Sequence, residues 1–197
     1  LNVLNVLKIE VKMAIAEPTY IIEHKVGAFE IRAYSPYLVA EVTVSGKREE
    51  AINQGFRILA NYIFGDNNGK SKIAMTAPVT QTAKSGQKIA MTAPVSQIQS
   101  GNQWIVRFAM PANFTMESIP KPNDERVKLI EIPAQKQAVV RFSGLCGQGD
   151  IERETNKLNN FLKSQNLTTT HPLTLARYDP PWTLWFMRRN ELMVLVD

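Results

Sequence analysis

The chain has 197 residues, 44% of them hydrophobic, which suffices for one large domain or two small ones around a real core. Its formal charge of +5 comes from scattered basic residues, with no run longer than Lys47-Arg48 or Arg188-Arg189, a pattern that argues against a nucleic-acid groove. A single cysteine, Cys146, excludes an intrachain disulfide and a cysteine-held metal, and no apolar run reaches the roughly 18 to 20 residues that span a bilayer.

The first dozen residues carry Lys8, Glu10 and Lys12 among apolar side chains and make a poor signal peptide, although Ala14-Ile15-Ala16 has the small residues of a cleavage site. Residues 1–16 are read as an N-terminal extension with Met13 as the start. The expected location is cytoplasmic, in keeping with one unpaired cysteine; a remnant leader in 1–16 is the alternative and implies export.

A first strand carries His24, and a second runs from Phe29 to Tyr34. Leu38-Val-Ala-Glu-Val-Thr-Val-Ser-Gly46 is a third, after which Ile52, Phe56, Leu59 and Ile63 fall at helical spacing behind Glu49 and Glu50 in the first turn. Gly65-Asp-Asn-Asn-Gly69 ends that helix.

Two near-identical strings follow, Lys72-Ile-Ala-Met-Thr-Ala-Pro-Val-Thr-Gln81 and Lys88-Ile-Ala-Met-Thr-Ala-Pro-Val-Ser-Gln97. Each is apolar at one parity, so each reads as a half-buried strand. Paired as a hairpin, the copies keep a common face only if opposed residue numbers add to an even sum. A three-residue loop, Lys84-Ser85-Gly86, meets that condition, sets Met75 against Val95 and places Gly86 at a left-handed position. Met75 and Met91 then belong to the core, while Pro78 and Pro94 mark bulges or edges.

The segment 110–126, with Pro111, Pro120 and Pro122, joins this half to one built alike. A strand at 127–132 precedes Lys136-Gln-Ala-Val-Val-Arg-Phe-Ser-Gly144, then a helix marked by Ile151, Leu158 and Leu162 with Asp150 as its cap. Strands at 173–178, 183–189 and 192–196 complete it. The pattern predicts an α+β fold in a single domain over 17–197, with pseudo-repeats at about 17–98 and 99–197 sharing one antiparallel sheet.

Six strings in order resemble the SOUL haem-binding protein family over residues 17–197. They are the Ile-Ala-Met-Thr-Ala-Pro-Val repeat, Phe29-Glu-Ile-Arg-Ala-Tyr34, Arg107-Phe-Ala-Met-Pro111, Pro120-Lys-Pro-Asn-Asp124, Val139-Val-Arg-Phe-Ser-Gly144, and Ala176-Arg-Tyr-Asp-Pro-Pro181 running into Trp185-Phe-Met-Arg-Arg-Asn-Glu191. The resemblance implies a distorted antiparallel β-barrel of two pseudo-repeats with two long helices, similar to the ligand domains of bacterial drug-sensing regulators. It implies non-covalent binding of haem or a related porphyrin in an apolar cleft, for tetrapyrrole buffering or transport. It places the ring between the first helix and the last strands, which carry Trp182, Trp185 and Phe186. On that basis Phe56, Arg57, Met187 and Arg188 are the expected ligand-binding residues, the arginines meeting the propionates.

The resemblance supplies no axial ligand. His24 reads as a partly exposed strand residue, His171 as an exposed loop residue and Cys146 as structural. No nucleophile triad, phosphate loop or metal cluster stands at a recognisable spacing, so no enzymatic activity is expected. Glu41 is the first candidate for a catalytic carboxylate, though an outward-facing position is expected for it, and Glu49, Glu50, Glu152 and Glu154 read as solvated helix faces. The alternatives are a small-molecule hydrolase or drug-binding protein on the same fold, and a protein-interaction module. The expected partner is the tetrapyrrole, with no nucleic acid and no transmembrane segment.

Overall fold

In the computed structural model, which describes residues 17–69, 86–180 and 182–196, period-2 alternation of side chains builds a curled antiparallel sheet. The chain opens with a hairpin, β1 (Tyr20–Val26) and β2 (Phe29–Tyr34), and Gly27 at φ 59° supplies the left-handed residue of its tight turn. Next come β3 (Tyr37–Ser45), α1 (Arg48–Phe64), the short β4 (Asn67–Asn68), β5 (Val95–Ser100) and β6 (Gln103–Ala109). The rest is β7 (Lys121–Pro122), β8 (Lys128–Ile132), β9 (Gln135–Phe142), α2 (Gln148–Ser164), β10 (Thr174–Arg177), a 3-10 turn at Trp185–Met187 and β11 (Asn190–Leu195). Among the described residues no helix is long and apolar enough to cross a membrane.

The nine-stranded sheet runs β1-β2-β9-β11-β10-β5-β6-β3-β8. Exchanging β2, β3, β5 and β6 with β8, β9, β10 and β11 maps this order onto itself, apart from β1. The α+β fold with two structurally similar units is therefore present. Each unit's first strand pairs with the other unit's second, β2 with β9 and β8 with β3, so the units interlock. The β5·β10 pairing sits on the pseudo-axis. The unit boundary read at 98/99 falls inside β5, and both β5 and β6 go with the first unit.

Alternation divides the sheet into two faces. Leu38, Ala40, Val42 and Val44 of β3 join Val106 and Phe108 of β6 under α1, whose Ala51, Ile58, Leu59, Tyr62 and Ile63 complete that core. Ala138, Val140, Leu192 and Val194 do the same under α2, against Leu158, Phe161 and Leu162. Gly55 lets α1 approach closely, since a Cβ there would lie 2.6 Å from Val106 Cγ2. The opposite, concave face carries Tyr34, Val139, Ala176 and Met193 with Tyr20, Tyr37 and Tyr178 packed on them.

Several sequence expectations are corrected. The second repeat copy is a strand only from Val95, and its partners are β6 and β10, not the first copy, which lies outside the described residues together with the loop at 84–85. Residues 88–94 are held irregularly: Ile89 N–H donates to the Ile63 carbonyl, and the Thr92 hydroxyl donates to the Ala109 carbonyl. Ile89 is buried, but Met91 is exposed and not in the core. The hairpin that does form turns on Gly101-Asn102, between Ser100 and Gln103. Gly86 matters for close approach rather than a left-handed turn, because a Cβ there would meet the Gly65 carbonyl oxygen at 1.9 Å.

Residues 183–189 form no strand. Thr183 N–H turns back to the Pro180 carbonyl and Met187 N–H to Leu184, which winds the segment into its 3-10 turn. Asp150 is not the cap of α2: Gly147 is, and the Asp150 carboxylate accepts from the Gly147 N–H at 3.2 Å from the third helical position. Glu154 is buried rather than solvated, and Arg153 and Lys157 both reach its Oε1 at 3.0 Å. Glu41 does not face outward into water; Arg107 Nε donates to it at 2.6 Å and covers it.

Candidate functional site

Curling of the sheet encloses a cavity of about 260 Å³ on the concave face, lined by Tyr20, Tyr34, Tyr37, Ile98, Ile105 and Met193 among others. Strands from both units contribute, because residues of one parity converge where the sheet bends. One wall adjoins a buried ion cluster. Arg32 donates through both Nη atoms to Glu191, at 2.8 and 3.0 Å, and through Nε to Glu30 at 2.7 Å. Glu191 also accepts from the Tyr178 hydroxyl at 2.7 Å and from Arg189 Nε at 2.9 Å.

Glu191 is wholly buried, and that burial pushes its carboxyl upward, but the hydrogen bonds and charge of Arg32, with Tyr178 and Arg189, outweigh it and hold the carboxyl below its ordinary 4.5. A carboxylate saturated by four donor atoms and held ionised is a poor proton acceptor. Desolvation, with the neighbouring Glu191 charge next, drives the Tyr178 phenol far upward, so it stays a donor. The cluster is built as a strut.

The second place of interest lies on the helix-bearing face, where β9 runs into α2. Gly144 N–H donates to the Trp185 carbonyl at 3.1 Å, and Asn190 Nδ2 to the Gly144 carbonyl at 3.0 Å, which fixes the 182–188 segment against that corner. The result is an exposed apolar wall of Leu145, Trp182, Leu184, Trp185, Phe186 and Met187. Trp185 and Phe186 stand edge to face, with centroids 5.6 Å apart. Exposed apolar side chains grouped in this way make a candidate binding face.

Two guanidiniums lie beside it. Arg48, the first residue of α1, donates to Gln97 Oε1 at 3.1 Å, and Arg177 of β10 donates through Nη2 to the Cys146 carbonyl at 3.4 Å. Burial, and then the nearby Arg177 charge, lowers the Arg48 pKa from its ordinary value. No carboxylate forms a salt bridge with either among the described residues, and Arg177 Nε is buried without a hydrogen-bond partner. Two cations that raise each other's electrostatic cost and form no salt bridge make a candidate place for an anion.

Of the residues expected from the sequence, Phe56 is 39% exposed on α1 and packs edge-on to Phe108, with centroids 5.2 Å apart. Arg57 donates to the Asn53 carbonyl along the helix surface. Met187 is 64% exposed at the end of the apolar wall, and Arg188 Nε donates to the Thr183 carbonyl at 2.8 Å. None of the four lines the concave cavity. Hydrogen bonds from Arg177 to Cys146 and from Gly144 to Trp185 tie β10 to the wall, and the Arg177 charge acts on Arg48 at the start of α1. Sequence reading did not select Arg48, Arg177 or Leu145, although Arg48 stands in the noted Lys47-Arg48 pair and Arg177 in a noted string.

His24 is exposed on β1, and His171 is exposed at the mouth of the concave cavity. Cys146 is buried at φ 62°, and desolvation pushes its thiol upward, which suits a structural residue. Among the described residues no group of three or more His, Cys, Asp or Glu side chains could hold a metal ion.

Comparison with known proteins agrees with this architecture. The family model described as SOUL heme-binding protein matches residues 15–195. The chain is similar to Heme-binding protein 2 of Homo sapiens, at 41% identity over 175 residues, covering 84% of this chain and 80% of that protein. Among solved structures it resembles the EcmrR C-terminal domain, with a TM-score of 0.61, 12% identity, and 86% and 96% of the two chains covered. A structure described as a hydrolase from Listeria innocua follows at a TM-score of 0.57 and 13% identity, with 89% and 94% covered. At such identities these two likenesses speak for the fold alone.

Proposed function

The chain belongs to the SOUL heme-binding protein family, and from that premise we propose that it binds haem or a related porphyrin non-covalently against the apolar wall of residues 182–187. The observation that carries this reading is the exposure of Trp185, Phe186 and Met187 on the side of the molecule that also bears Arg48 and Arg177, cations with which no carboxylate forms a salt bridge among the described residues. A porphyrin has a flat apolar body and two propionates at one edge, and this face offers the complement of both. The concave cavity is the less suitable place. Its volume of about 260 Å³ falls below the roughly 300 Å³ at which pockets for drug-sized ligands begin.

Contact with the wall needs no axial ligand, so metal-free porphyrin should bind about as well as haem. Reversible capture of this kind suits buffering or transport of the tetrapyrrole, and the saturated Glu191 favours a binding protein over a hydrolase.

The test is a titration of the purified protein with haemin and with protoporphyrin, read by the Soret band and by quenching of Trp182 and Trp185. Saturable binding of both is expected, weakened about tenfold or more by Trp185→Ala with Phe186→Ala and about tenfold by Arg177→Met. Absence of saturable binding, or affinities that none of these substitutions alters, would overturn the proposal.

A further inference from the structure

Among the described residues that line the concave cavity, one buried side-chain polar atom has no hydrogen-bond partner. Gln137 of β9 is 8% exposed and lines the cavity, and its Oε1 is buried without a hydrogen-bond donor. Buried acceptors are seldom left unpaired, because the group forfeits its bond to water on folding. Around it stand the rings of Tyr20, Tyr34 and Tyr37 with Ile98, Ile105 and Met193, a lining suited to an aromatic body. The lining's own charges are already matched: Glu17 pairs with Arg189 at 2.7 Å and Arg107 with Glu41 at 2.6 Å. A charged ligand would have to displace one of these pairs, whereas a neutral ligand leaves them intact.

We infer that the concave face is a second binding site, distinct from the helix-bearing face, for a small neutral aromatic molecule that donates one hydrogen bond to Gln137. Its size follows from the volume. An apolar cavity of about 150 Å³ holds benzene, so one of about 260 Å³ accommodates a bicyclic ring. The class is therefore a bicyclic phenol or an indole-like heterocycle, its hydroxyl or N–H toward β9 and its rings among the tyrosines. The inference does not depend on the porphyrin reading.

The probes are 2-naphthol and 2-methoxynaphthalene, which share the bicycle and differ in the donor. Calorimetric titration of the full chain should give saturable binding of 2-naphthol, about tenfold tighter than the methyl ether. Gln137→Leu, close in volume, should abolish that preference and leave haemin titration unchanged. Ile98→Trp should fill the cavity and remove binding of both probes, with the far-ultraviolet circular dichroism spectrum showing that each variant is folded. Equal affinities in the wild type would mean that Gln137 is met by water, and would overturn the inference. So would a preference that survives Gln137→Leu, binding that survives Ile98→Trp, or no saturable binding at all.

Discussion

Replacing Glu191 by glutamine perturbs the most deeply buried charge in the described structure while conserving its volume. The carboxylate is fully enclosed and accepts from Arg32 twice, from Tyr178 and from Arg189. The amide retains one acceptor oxygen and turns an N–H₂ group toward a donor. Arg32, whose side chain is 2% exposed, is then left with Glu30 as its counter-ion. Breaking a buried pair costs about 3–5 kcal/mol, and the remaining Glu30 puts the expected loss near the lower end, about 3 kcal/mol. With a urea slope of about 2 kcal/mol per molar, the midpoint should fall by roughly 1.5 M at pH 7. Glu41→Gln is the comparison: the partly exposed Glu41–Arg107 pair should cost about 1 kcal/mol or less.

The same substitution has a defined pH dependence. The folded-state pKa of Glu191 is depressed below 4.5, so the unfolded chain takes up this proton first as pH falls. The stabilisation is fully present above the unfolded value and is lost as pH drops through the depressed folded value. The gap between wild type and Glu191→Gln should accordingly be constant from pH 7 to about 5 and shrink below about 4.5. Urea melts at pH 7, 5 and 3.5 measure it. A loss under about 1 kcal/mol at pH 7, or a gap that stays level into acid, would refute the strut argument.

Gly55→Ala should lower the melting temperature, because a Cβ placed 2.6 Å from Val106 Cγ2 overpacks the α1–sheet contact by about 1–3 kcal/mol, more than the roughly 1 kcal/mol gained in helix propensity. Tyr62→Phe should cost about 1–2 kcal/mol in a urea melt, as its hydroxyl donates at 2.7 Å to the Pro120 carbonyl and the phenylalanine leaves that acceptor unpaired. Leu158→Ala, at a fully buried position on the sheet-facing side of α2, should lose about 3–5 kcal/mol by the same assay. Cys146 should react slowly with a thiol reagent in the folded protein and rapidly in urea, since desolvation raises its pKa and burial shields it; fast reaction under native conditions would contradict its placement.

Much of the candidate wall was legible from local chemistry, and much was not. Trp182, Trp185, Phe186 and Met187 stand within six residues of one another, so their common location needed no long-range information. Their conformation did: alternation allowed a strand over 183–189, and the hydrogen bonds from Thr183 to Pro180 and from Gly144 to Trp185 decide for a turn instead. Arg48 and Arg177 are 129 positions apart, and their charges interact because β5, whose Gln97 holds Arg48, pairs with β10 across the pseudo-axis. Gln137 carries no local mark at all. It is one of four polar residues on β9, and its importance comes from the cavity it faces.

The doubled Ile-Ala-Met-Thr-Ala-Pro-Val string makes the same division. Its period-2 pattern is a local property, satisfied equally well by a hairpin or by a segment whose polar groups find other partners. In the second copy the latter holds, with Ile89 N–H donating to the Ile63 carbonyl and the Thr92 hydroxyl to the Ala109 carbonyl; the first copy lies outside the described residues. Period and spacing determined by themselves the two long helices, most of the strands and the similarity of the two units, while six strings in order carried the resemblance to the family. Strand partners, the exchange of strands between units, the side of the sheet that bends around a cavity and the joining of distant charges depend on contacts far apart in the chain. Those were decided by the tertiary structure, because one parity of side chains can be buried against many partners and only closure of the sheet selects among them.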